Sequence, residues 1–469
     1  MQRINDSSPT ISRRNTVDGI LRPLSVLEEY ARSFGIVVSR NRIRGKLSIA
    51  NLRQALQVMT QRHPFLNAAL YDSRDGSYYR RQRDLPIPLT IREEVRSEEE
   101  RNRLYEEELN TPLNYYKQLW RILVVLDGTV DEIDTTSRID LILTLQHVIC
   151  DGLSIQNLAK EILEQTQALQ QGKPLYENQI LPVMPPMDQY LPRIIHNSSP
   201  AKGTRLFLTP RDQTLKMEEI NYGSIDVLDR DLSVPKNQCR VRYFNGQYSV
   251  RELQSLWRHC KRMNISIHGV VAACMIKALS ECVTTPAGRA TNLLLRNPID
   301  MRIKAAPDRG GIGNQHLLNF VISELVLCSV EETATIPELS HQFIKKLNNK
   351  IKNQQAIKRY QATANSGEFT EINKERAAQI LLISNIGRID TRADYGGFEL
   401  LETNYIPSKK SFALQFSLTS FAGYLNYILL YTSPWYKTEL IADLHQRFRE
   451  HLKILTTHSG GHSSSSLPG

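Results

Sequence analysis

His147 and Asp151 are the pair of residues in this chain whose types and spacing best fit acid–base chemistry. His147 ends a strand-like run, and Asp151 and Gly152 follow it after a short interval. An imidazole titrates close to neutral pH, so it is able to take a proton from a hydroxyl, thiol or amine. The pattern therefore predicts a general base at His147.

The segment before His147 has the alternation of a β-strand. Apolar residues occupy alternate positions from Ile139 to Leu145, with mostly polar residues between them. This period of two predicts a strand with one buried face, and His147 would continue the buried row. The Asp-Gly pair predicts a turn before a helix that begins at Ser154. A histidine on an apolar strand is also commonly a hydrogen-bonded core residue without chemistry, and an Asp-Gly pair is often only a turn.

The length and composition predict two domains with ordinary cores. A chain of 469 residues, 41% of them hydrophobic, suits two domains of about 200 residues each. It contains no run of about 20 apolar residues, so we expect no transmembrane segment. Its six scattered cysteines have no paired or metal-binding spacing, which favours a reduced, cytoplasmic protein without disulfides or a metal.

The formal net charge of +10 favours an anionic binding partner. We expect no nucleic-acid partner, because the basic residues are dispersed and no module combines them with aromatic residues. Local clusters such as Arg40–Lys46 are expected to lie in solvent. The positive charge instead favours an anionic donor, either the phosphates of coenzyme A or an acidic carrier protein. Composition does not distinguish these two donors.

The order of predicted elements divides the chain into two lobes and a proline-rich connector. Each lobe is expected to combine strands with amphipathic helices. The predicted parts are a disordered tail (1–20), a first lobe that carries His147 (21–175), the connector (176–236), a second lobe (237–456) and a second disordered tail (457–469).

The stretch from Gln146 to Gly152 resembles the HHxxxDG motif of nonribosomal peptide synthetase condensation domains, alcohol acetyltransferases and polyketide-associated acyltransferases. Gln146 replaces the first histidine of the motif. His147 matches the second histidine, to which the family assigns catalysis. Further matches to the family follow in order along the chain, namely the segments LRPLSVLEEY, RHPFL, NPIDMR and SNIG.

This resemblance implies an α/β fold of two chloramphenicol-acetyltransferase-like lobes, each a mixed sheet with helices, which form a V with a channel at the seam. It favours a structural role for Asp151, paired with Arg302, although Asp151 could instead orient His147. Gly152 would give freedom to the backbone or allow close approach of the donor. In the SNIG segment, Asn385 beside Ser384 is able to donate a hydrogen bond to an oxyanion or to substrate. The alternative is that Asn385 belongs to a turn that ends a strand before Gly387.

The function implied is that of a stand-alone, monomeric acyltransferase without a cofactor or metal. An acyl thioester, on coenzyme A or on an acyl carrier protein, would donate its acyl group to a hydroxyl or amine of a small-molecule acceptor, a secondary metabolite or a lipid. The acceptor would attack the thioester directly after His147 takes its proton. Cys150 offers a covalent alternative, but we expect it to pack as a small apolar side chain.

Two other functions stay open at this point. Because Gln146 departs from the motif, the chain could be a non-catalytic scaffold that recruits carrier proteins through the same fold. It could also be a condensation enzyme that forms an amide between two carrier-bound substrates. An enzyme would release free thiol from an acyl thioester, whereas a scaffold would only bind it.

Overall fold

The computed structural model describes residues 19–82, 85–190, 225–302, 313, 315–366 and 380–457. The predicted tails, 1–20 and 457–469, lie almost entirely outside these ranges. Residues 191–224 of the predicted connector, 176–236, lie outside them as well.

Strands and helices alternate through both halves of the chain. The strands are β1 (Ile20–Pro23), β2 (Ile36–Gly45), β3 (Ala68–Ser73), β4 (Gly76–Arg81), β5 (Leu89–Arg92), β6 (Trp120–Leu126), β7 (Arg138–Gln146), β8 (Arg240–Tyr248), β9 (Thr291–Asp300), β10 (Val321–Val330), β11 (Leu381–Arg388), β12 (Phe398–Ser408), β13 (Leu414–Phe421) and β14 (Tyr424–Ser433). The α-helices are α1 (Val26–Ala31), α2 (Ile49–Arg62), α3 (Glu98–Asn110), α4 (Gly152–Gln170), α5 (Val250–Arg262), α6 (Ile267–Cys282), α7 (Ile336–Lys352), α8 (Gln355–Ser366) and α9 (Thr438–Thr457). Short 3-10 turns lie at Arg32–Phe34, Pro64–Asn67, Val130–Glu132, Met187–Gln189 and Lys236–Gln238.

Two mixed sheets organise these elements, and each has its own apolar core. The first has the strand order β12-β2-β7-β6-β5, in which β5 and β6 are parallel and the other neighbours antiparallel. The second has the order β10-β9-β11-β13-β14-β8, with β11 parallel to both β9 and β13. A small antiparallel sheet, β1-β4-β3, accompanies the first. The predicted α/β class with two lobes of mixed sheets is confirmed.

One strand of the second half completes the first sheet. β12 lies in the predicted second lobe, 237–456, yet it pairs along its whole length with β2, from Phe398 opposite Gly45 to Ser408 opposite Ile36. β13, which follows β12, returns to the second sheet. The lobes are therefore tied by backbone hydrogen bonds, and a division at 237 does not separate the two sheets.

The strand before His147 is buried on both faces, contrary to the single buried face that its alternation predicted. One face of β7 packs in the core of the first lobe beneath α2 and α4. The other carries Ile142, which packs with α3 and with residues of β8 and β14. The polar residues on this second face are paired, because Asp140 bonds to Arg40 and Thr144 donates to Glu108. The polar residues of β7 therefore lie on a buried face and not on a solvent-exposed one.

Arg40 also corrects the expectation that the cluster Arg40–Lys46 lies in solvent. Its side chain is only 2% exposed, and its Nη2 lies 2.6 Å from Oδ2 of Asp140. Burial disfavours the charged guanidinium, but the neighbouring carboxylate outweighs that effect and raises the pKa of Arg40.

The helix after the motif begins two residues earlier than predicted. α4 starts at Gly152, not at Ser154, because Asp151 is its N-cap and accepts hydrogen bonds from the backbone N–H groups of Leu153 and Ser154. Ser154 is the third residue of the helix, and its side chain forms a capping box with Asp151. A carboxylate at the N-terminus of a helix is favoured by the helix dipole, so Asp151 is placed by the local sequence.

α2 holds α4 in place through a buried ionic cluster in the RHPFL segment. Glu161 of α4 lies 2.9 Å from Nε of Arg62 and 2.7 Å from Nε2 of His63. Pro64 ends α2, because proline disfavours helix at the residue before it.

Among the described residues, no individual helix is both long enough and apolar enough to cross a bilayer. The pair α5 and α6 satisfies that test only when the two are taken together, across a bend of 97°.

Candidate active site

His147 lies immediately beyond β7, where the first sheet meets the second lobe. Its backbone N–H donates to the carbonyl oxygen of Gly35 at 3.0 Å, which ties the residue to the start of β2. The ring of Phe34 meets the imidazole edge-on, with 5.6 Å between centroids. The side chain is half-buried and lines a cavity, so His147 is not sealed within a core.

That cavity has a volume of about 570 Å³ and lies between the two lobes. Residues of the first lobe on its wall come from the start of β2, the motif turn and the start of α4. Residues of the second lobe come from β9, β10, β11 and the end of β12. A volume of this size suits a small ligand, and its place between the lobes agrees with the predicted channel at the seam.

The hydrogen bonds of His147 define which ring nitrogen is basic. Nδ1 lies 2.9 Å from the carbonyl oxygen of Cys150 and 3.4 Å from Nδ2 of Asn319. A carbonyl oxygen only accepts, so the shorter contact places the proton on Nδ1. The neutral ring then carries its lone pair on Nε2, which is the tautomer required of a base.

Asp151 forms an ion pair with Arg302. Oδ2 of Asp151 lies 2.9 Å from Nη1 of Arg302, and Oδ1 accepts from Nη2 at 3.1 Å. Oδ2 also accepts from the backbone N–H of Phe320 at 2.9 Å. Of the two roles considered for Asp151, these contacts support the ion pair with Arg302.

The Asp151–Arg302 pair is almost fully enclosed, with side chains 2% and 3% exposed. Burial acts to raise the pKa of Asp151. The charge and hydrogen bonds of Arg302, with the N–H groups of Ser154 and Phe320, outweigh burial, so the pKa lies below its ordinary value. The carboxylate is therefore ionised at neutral pH, and both of its oxygens accept hydrogen bonds.

Gly152 is required by the close approach of Tyr405. A Cβ at this position would overlap the Tyr405 ring, and the hydroxyl of Tyr405 lies 2.6 Å from Oγ of Ser384. The backbone of Gly152 has ordinary helical geometry at the first position of α4. The space that the glycine leaves is therefore occupied by the Tyr405 side chain of β12.

Ser384 and Asn385 both lie on the cavity wall, as residues of β11. The Oδ1 atom of Asn385 accepts from the backbone N–H of Gly387 at 2.8 Å. Gly387 has a φ of +75° and allows the strand to turn there. The turn before Gly387 that was one alternative for Asn385 is present, with the amide oxygen of Asn385 as its acceptor, but it does not end the strand, because β11 continues to Arg388.

Cys150 is fully buried, and its Sγ lies 3.6 Å from the carbonyl oxygen of Gln146. Burial raises the pKa of this thiol well above its ordinary value, and the Asp151 charge adds to the effect. Only the thiolate is a good nucleophile. The environment of Cys150 therefore fits a packed core residue, as expected.

Two contributors to the site escaped sequence reasoning. Asn319 reaches the imidazole, and Phe320 donates to Asp151 through its backbone. Both follow directly on a short apolar run, Leu317–Leu318, and precede β10. No spacing or residue type in that segment distinguishes them, because their role depends on the approach of the second lobe to the motif.

The described residues include no group of three or more His, Cys, Asp or Glu side chains that could hold a metal ion. The six cysteines are all unpaired, and five of them are buried.

The comparisons with known proteins agree with this geometry. Residues 240–411 match the family described as "Phthiocerol/phthiodiolone dimycocerosyl transferase C-terminus". No curated protein matches the chain in sequence.

Solved structures match over nearly the whole chain. Polyketide synthase associated protein 5 from Mycobacterium tuberculosis is 16% identical, with a TM-score of 0.65 over 94% of this chain and 100% of that one. The trichothecene 15-O-acetyltransferase TRI3 from Fusarium sporotrichioides is 10% identical, with a TM-score of 0.66 over 93% and 95%. The first condensation domain of the calcium-dependent antibiotic synthetase is 14% identical, with a TM-score of 0.68 over 94% and 98%.

The chain therefore has the fold of these condensation domains and acyltransferases. The stretch from Gln146 to Gly152, which resembles the HHxxxDG motif, brings His147, Asp151 and Gly152 to the cavity at the seam of the two lobes. The predicted resemblance is confirmed.

Proposed function

We propose that the protein is an acyltransferase that moves an acyl group from a thioester to a hydroxyl or amine of a small-molecule acceptor, with His147 as the general base. One observation carries the proposal. Nδ1 of His147 lies 2.9 Å from the carbonyl oxygen of Cys150, a contact that favours the tautomer with its proton on Nδ1 and its basic nitrogen at Nε2, in a ring that lines an inter-lobe cavity.

The proposed reaction begins with the acceptor and the thioester both in the cavity. His147 takes the proton of the acceptor hydroxyl or amine through Nε2 as the acceptor attacks the thioester carbonyl carbon. The C=O π electrons move to oxygen and form a tetrahedral intermediate. When it collapses, the C–S bond breaks and the departing thiolate takes the proton from the imidazolium. The products are the ester or amide and the free thiol.

The developing oxyanion needs a hydrogen-bond donor on the cavity wall. The NH₂ group of Asn385 is the donor we propose, because Oδ1 of the same side chain is held by Gly387 and fixes the amide. The hydroxyl of Ser384 is already paired with Tyr405 at 2.6 Å. We assign Ser384 to holding the Tyr405 ring in place and Asn385 to the oxyanion.

The ion pair of Asp151 with Arg302 has a positioning role in this proposal. It joins the N-terminus of α4 to the end of β9, so the two lobes keep a fixed distance at His147. No metal or cofactor takes part in the proposed reaction, and the thioester is a substrate.

The test is release of free thiol from a panel of acyl thioesters in the presence of candidate alcohols and amines. His147→Ala should lower turnover by about 10²- to 10⁴-fold while circular dichroism and thermal unfolding stay close to wild type. Asn385→Ala should lower kcat more than it changes KM. Undiminished turnover in His147→Ala would refute the assigned base. Binding of thioesters without thiol release by the wild-type protein would favour the scaffold instead.

A further inference from the structure

The second sheet has an open edge at β8. β8 is the last strand of that sheet and pairs on one side with β14, from Tyr248 opposite Leu425 to Arg240 opposite Ser433. In the part of the chain that the structure describes, no strand pairs with its other side. The backbone N–H and C=O groups on that side of an edge strand are able to bond to a further strand.

Asn110, the last residue of α3, shows which backbone groups of β8 point outward. Its side-chain amide accepts from the N–H of Val241 at 2.7 Å and donates to the carbonyl oxygen of Val241 at 2.8 Å. In an antiparallel pair, the residues whose N–H and C=O point away from the partner strand alternate along the chain. The register of β8 with β14 is continuous, so the N–H and C=O groups of Tyr243, Asn245 and Gln247 also point outward. An added strand would bond to these three residues as Asn110 bonds to Val241.

A groove runs along this edge, between β8 and α3. It has a volume of about 750 Å³, and its walls are formed by residues 242–245 of β8 and by residues between Ser97 and Glu106 at α3. The rings of Tyr243 and Tyr105 meet edge-on across this boundary, with 5.3 Å between centroids, so the side chain of Tyr243 faces α3. A groove beside an open strand edge suits an extended peptide, which lengthens the sheet by one strand.

The charge of the groove favours a basic peptide. Three glutamates and two arginines line it. Arg103 is paired with Glu100 at 3.5 Å, whereas Glu99 and Glu106 have no ion-pair partner among the described residues. Two carboxylates therefore stand against the single guanidinium of Arg242. Alternate side chains of an added strand would face α3, and lysine or arginine at those positions would meet these carboxylates.

We propose that the groove between β8 and α3 binds an extended, lysine- or arginine-bearing segment of a partner protein as an added β-strand. Main-chain hydrogen bonds to Tyr243, Asn245 and Gln247 hold the segment, and Glu99 and Glu106 select its basic side chains. No residue that lines the groove also lines the cavity at the seam of the lobes. The docking surface is therefore separate from the site of the proposed acyl transfer and does not depend on it.

The experiment measures binding of a fluorescein-labelled peptide of seven residues in which threonine and lysine alternate. Such a peptide spans about 23 Å when extended, which is longer than the stretch of β8 that carries the three outward residues. Fluorescence anisotropy should show binding to the full chain, and the affinity should fall as salt rises. The same peptide with glutamate in place of lysine should bind about tenfold more weakly. Equal affinity for the two peptides, or no binding of the lysine peptide, overturns the proposal.

Methylation of the peptide backbone tests whether the peptide docks as a strand. Alternate N–H groups of a strand point to opposite edges. N-methylation of one alternate set therefore removes the donors to β8, and N-methylation of the other set removes none of them. One methylated peptide should lose about tenfold or more in affinity, and the other should bind like the parent peptide. Equal effects of the two methylated sets would exclude docking as an added strand.

Substitutions in the groove give a matched set of variants. Glu99→Gln combined with Glu106→Gln should weaken binding of the lysine peptide by about fivefold. Glu107→Gln removes an exposed carboxylate of α3 that does not line the groove, so it should leave the affinity unchanged. Asn245→Pro removes an outward N–H and no bond to β14, and it should weaken binding by about tenfold. Unchanged affinity in both the double glutamine variant and Asn245→Pro refutes the groove as the docking site.

A second copy of this chain is the competing occupant of the β8 edge. We favour a peptide segment because α3 flanks the edge in every copy and would stand between two paired β8 strands. Sedimentation should therefore show a monomer that binds the lysine peptide. A dimer that Asn245→Pro dissociates would overturn the peptide as occupant. Thiol release from acyl thioesters should be the same in the double glutamine variant as in wild type, so the docking surface and the proposed acyl transfer are tested separately.

Discussion

Nη1 of Arg302 lies 2.9 Å from Oδ2 of Asp151, across 151 positions of sequence and between the two lobes. Asp151 caps α4 in the first lobe, and Arg302 follows β9 in the second. The residue that begins the motif helix is therefore also the residue that holds the second lobe against it. A single carboxylate sets both the local turn beneath His147 and the separation of the cavity walls.

Removal of Arg302 should destabilise the protein strongly. Arg302→Ala leaves the Asp151 carboxylate buried without its cation, and breaking such a buried pair costs about 3–5 kcal/mol. Thermal and urea unfolding should both report the loss. Arg138→Ala provides the control, because its pair with Asp127 is half exposed and contributes at most about 1 kcal/mol. An unfolding free energy of Arg302→Ala as high as that of Arg138→Ala would contradict the structural role of the pair.

The same pair should make stability depend on pH in acid. The pKa of Asp151 is lower in the folded protein than in the unfolded chain, so the unfolded state binds protons first as pH falls. The stabilisation is complete above the unfolded value, about pH 4, and is lost as pH falls through the lower folded value. The free energy of unfolding, measured with urea at several pH values between about 5 and 2, should depend less steeply on pH for Asp151→Asn than for wild type. Parallel curves for the two proteins would rule out this linkage.

The sequence predicted the position of the site better than its surroundings. His147 at a strand end, with Asp151 before a helix, follows from alternation and capping chemistry, which are local. Asn319 and Tyr405 do not, because each reaches the site only after the lobes pack. The crossing of β12 into the first sheet has the same cause. The residues of β12 carry no information on which sheet the strand joins.

Burial of charge was the other limit of sequence reasoning. Asp140 and Arg40 look like residues of a solvent-exposed face until they are seen to face each other from β7 and β2. A pattern of polar residues cannot distinguish a wet face from a face on which opposite charges meet. The buried pair Asp151–Arg302 was anticipated only through family resemblance, since no local pattern joins two residues so far apart.

Cys150 should be dispensable for turnover. Burial raises the pKa of its thiol well above the ordinary value, so the residue is a poor nucleophile at neutral pH. Cys150→Ala should keep kcat within about twofold of wild type while lowering stability by about 1–2 kcal/mol through the small cavity it leaves. Alkylation with iodoacetamide followed by mass spectrometry should modify the partly exposed Cys282 before Cys150. A Cys150→Ala protein that folds but loses turnover would instead indicate a covalent acyl-enzyme.

The contact of Gly152 with Tyr405 predicts that substitutions at the two positions are coupled in their effect on stability. Gly152→Ala adds a methyl group where the Tyr405 ring lies, and overpacking of this kind costs about 1–3 kcal/mol. Because the overlap is with the ring itself, Tyr405→Phe should not relieve it, whereas Tyr405→Leu should recover part of the loss by removing the ring. The free energies of unfolding of the single and double variants measure the coupling. Gly246→Ala, which overlaps the Tyr427 ring in the second sheet, is the matched control and should show no rescue by Tyr405→Leu. Additive effects of Gly152→Ala and Tyr405→Leu would mean that the glycine is needed for its backbone and not for the space it leaves.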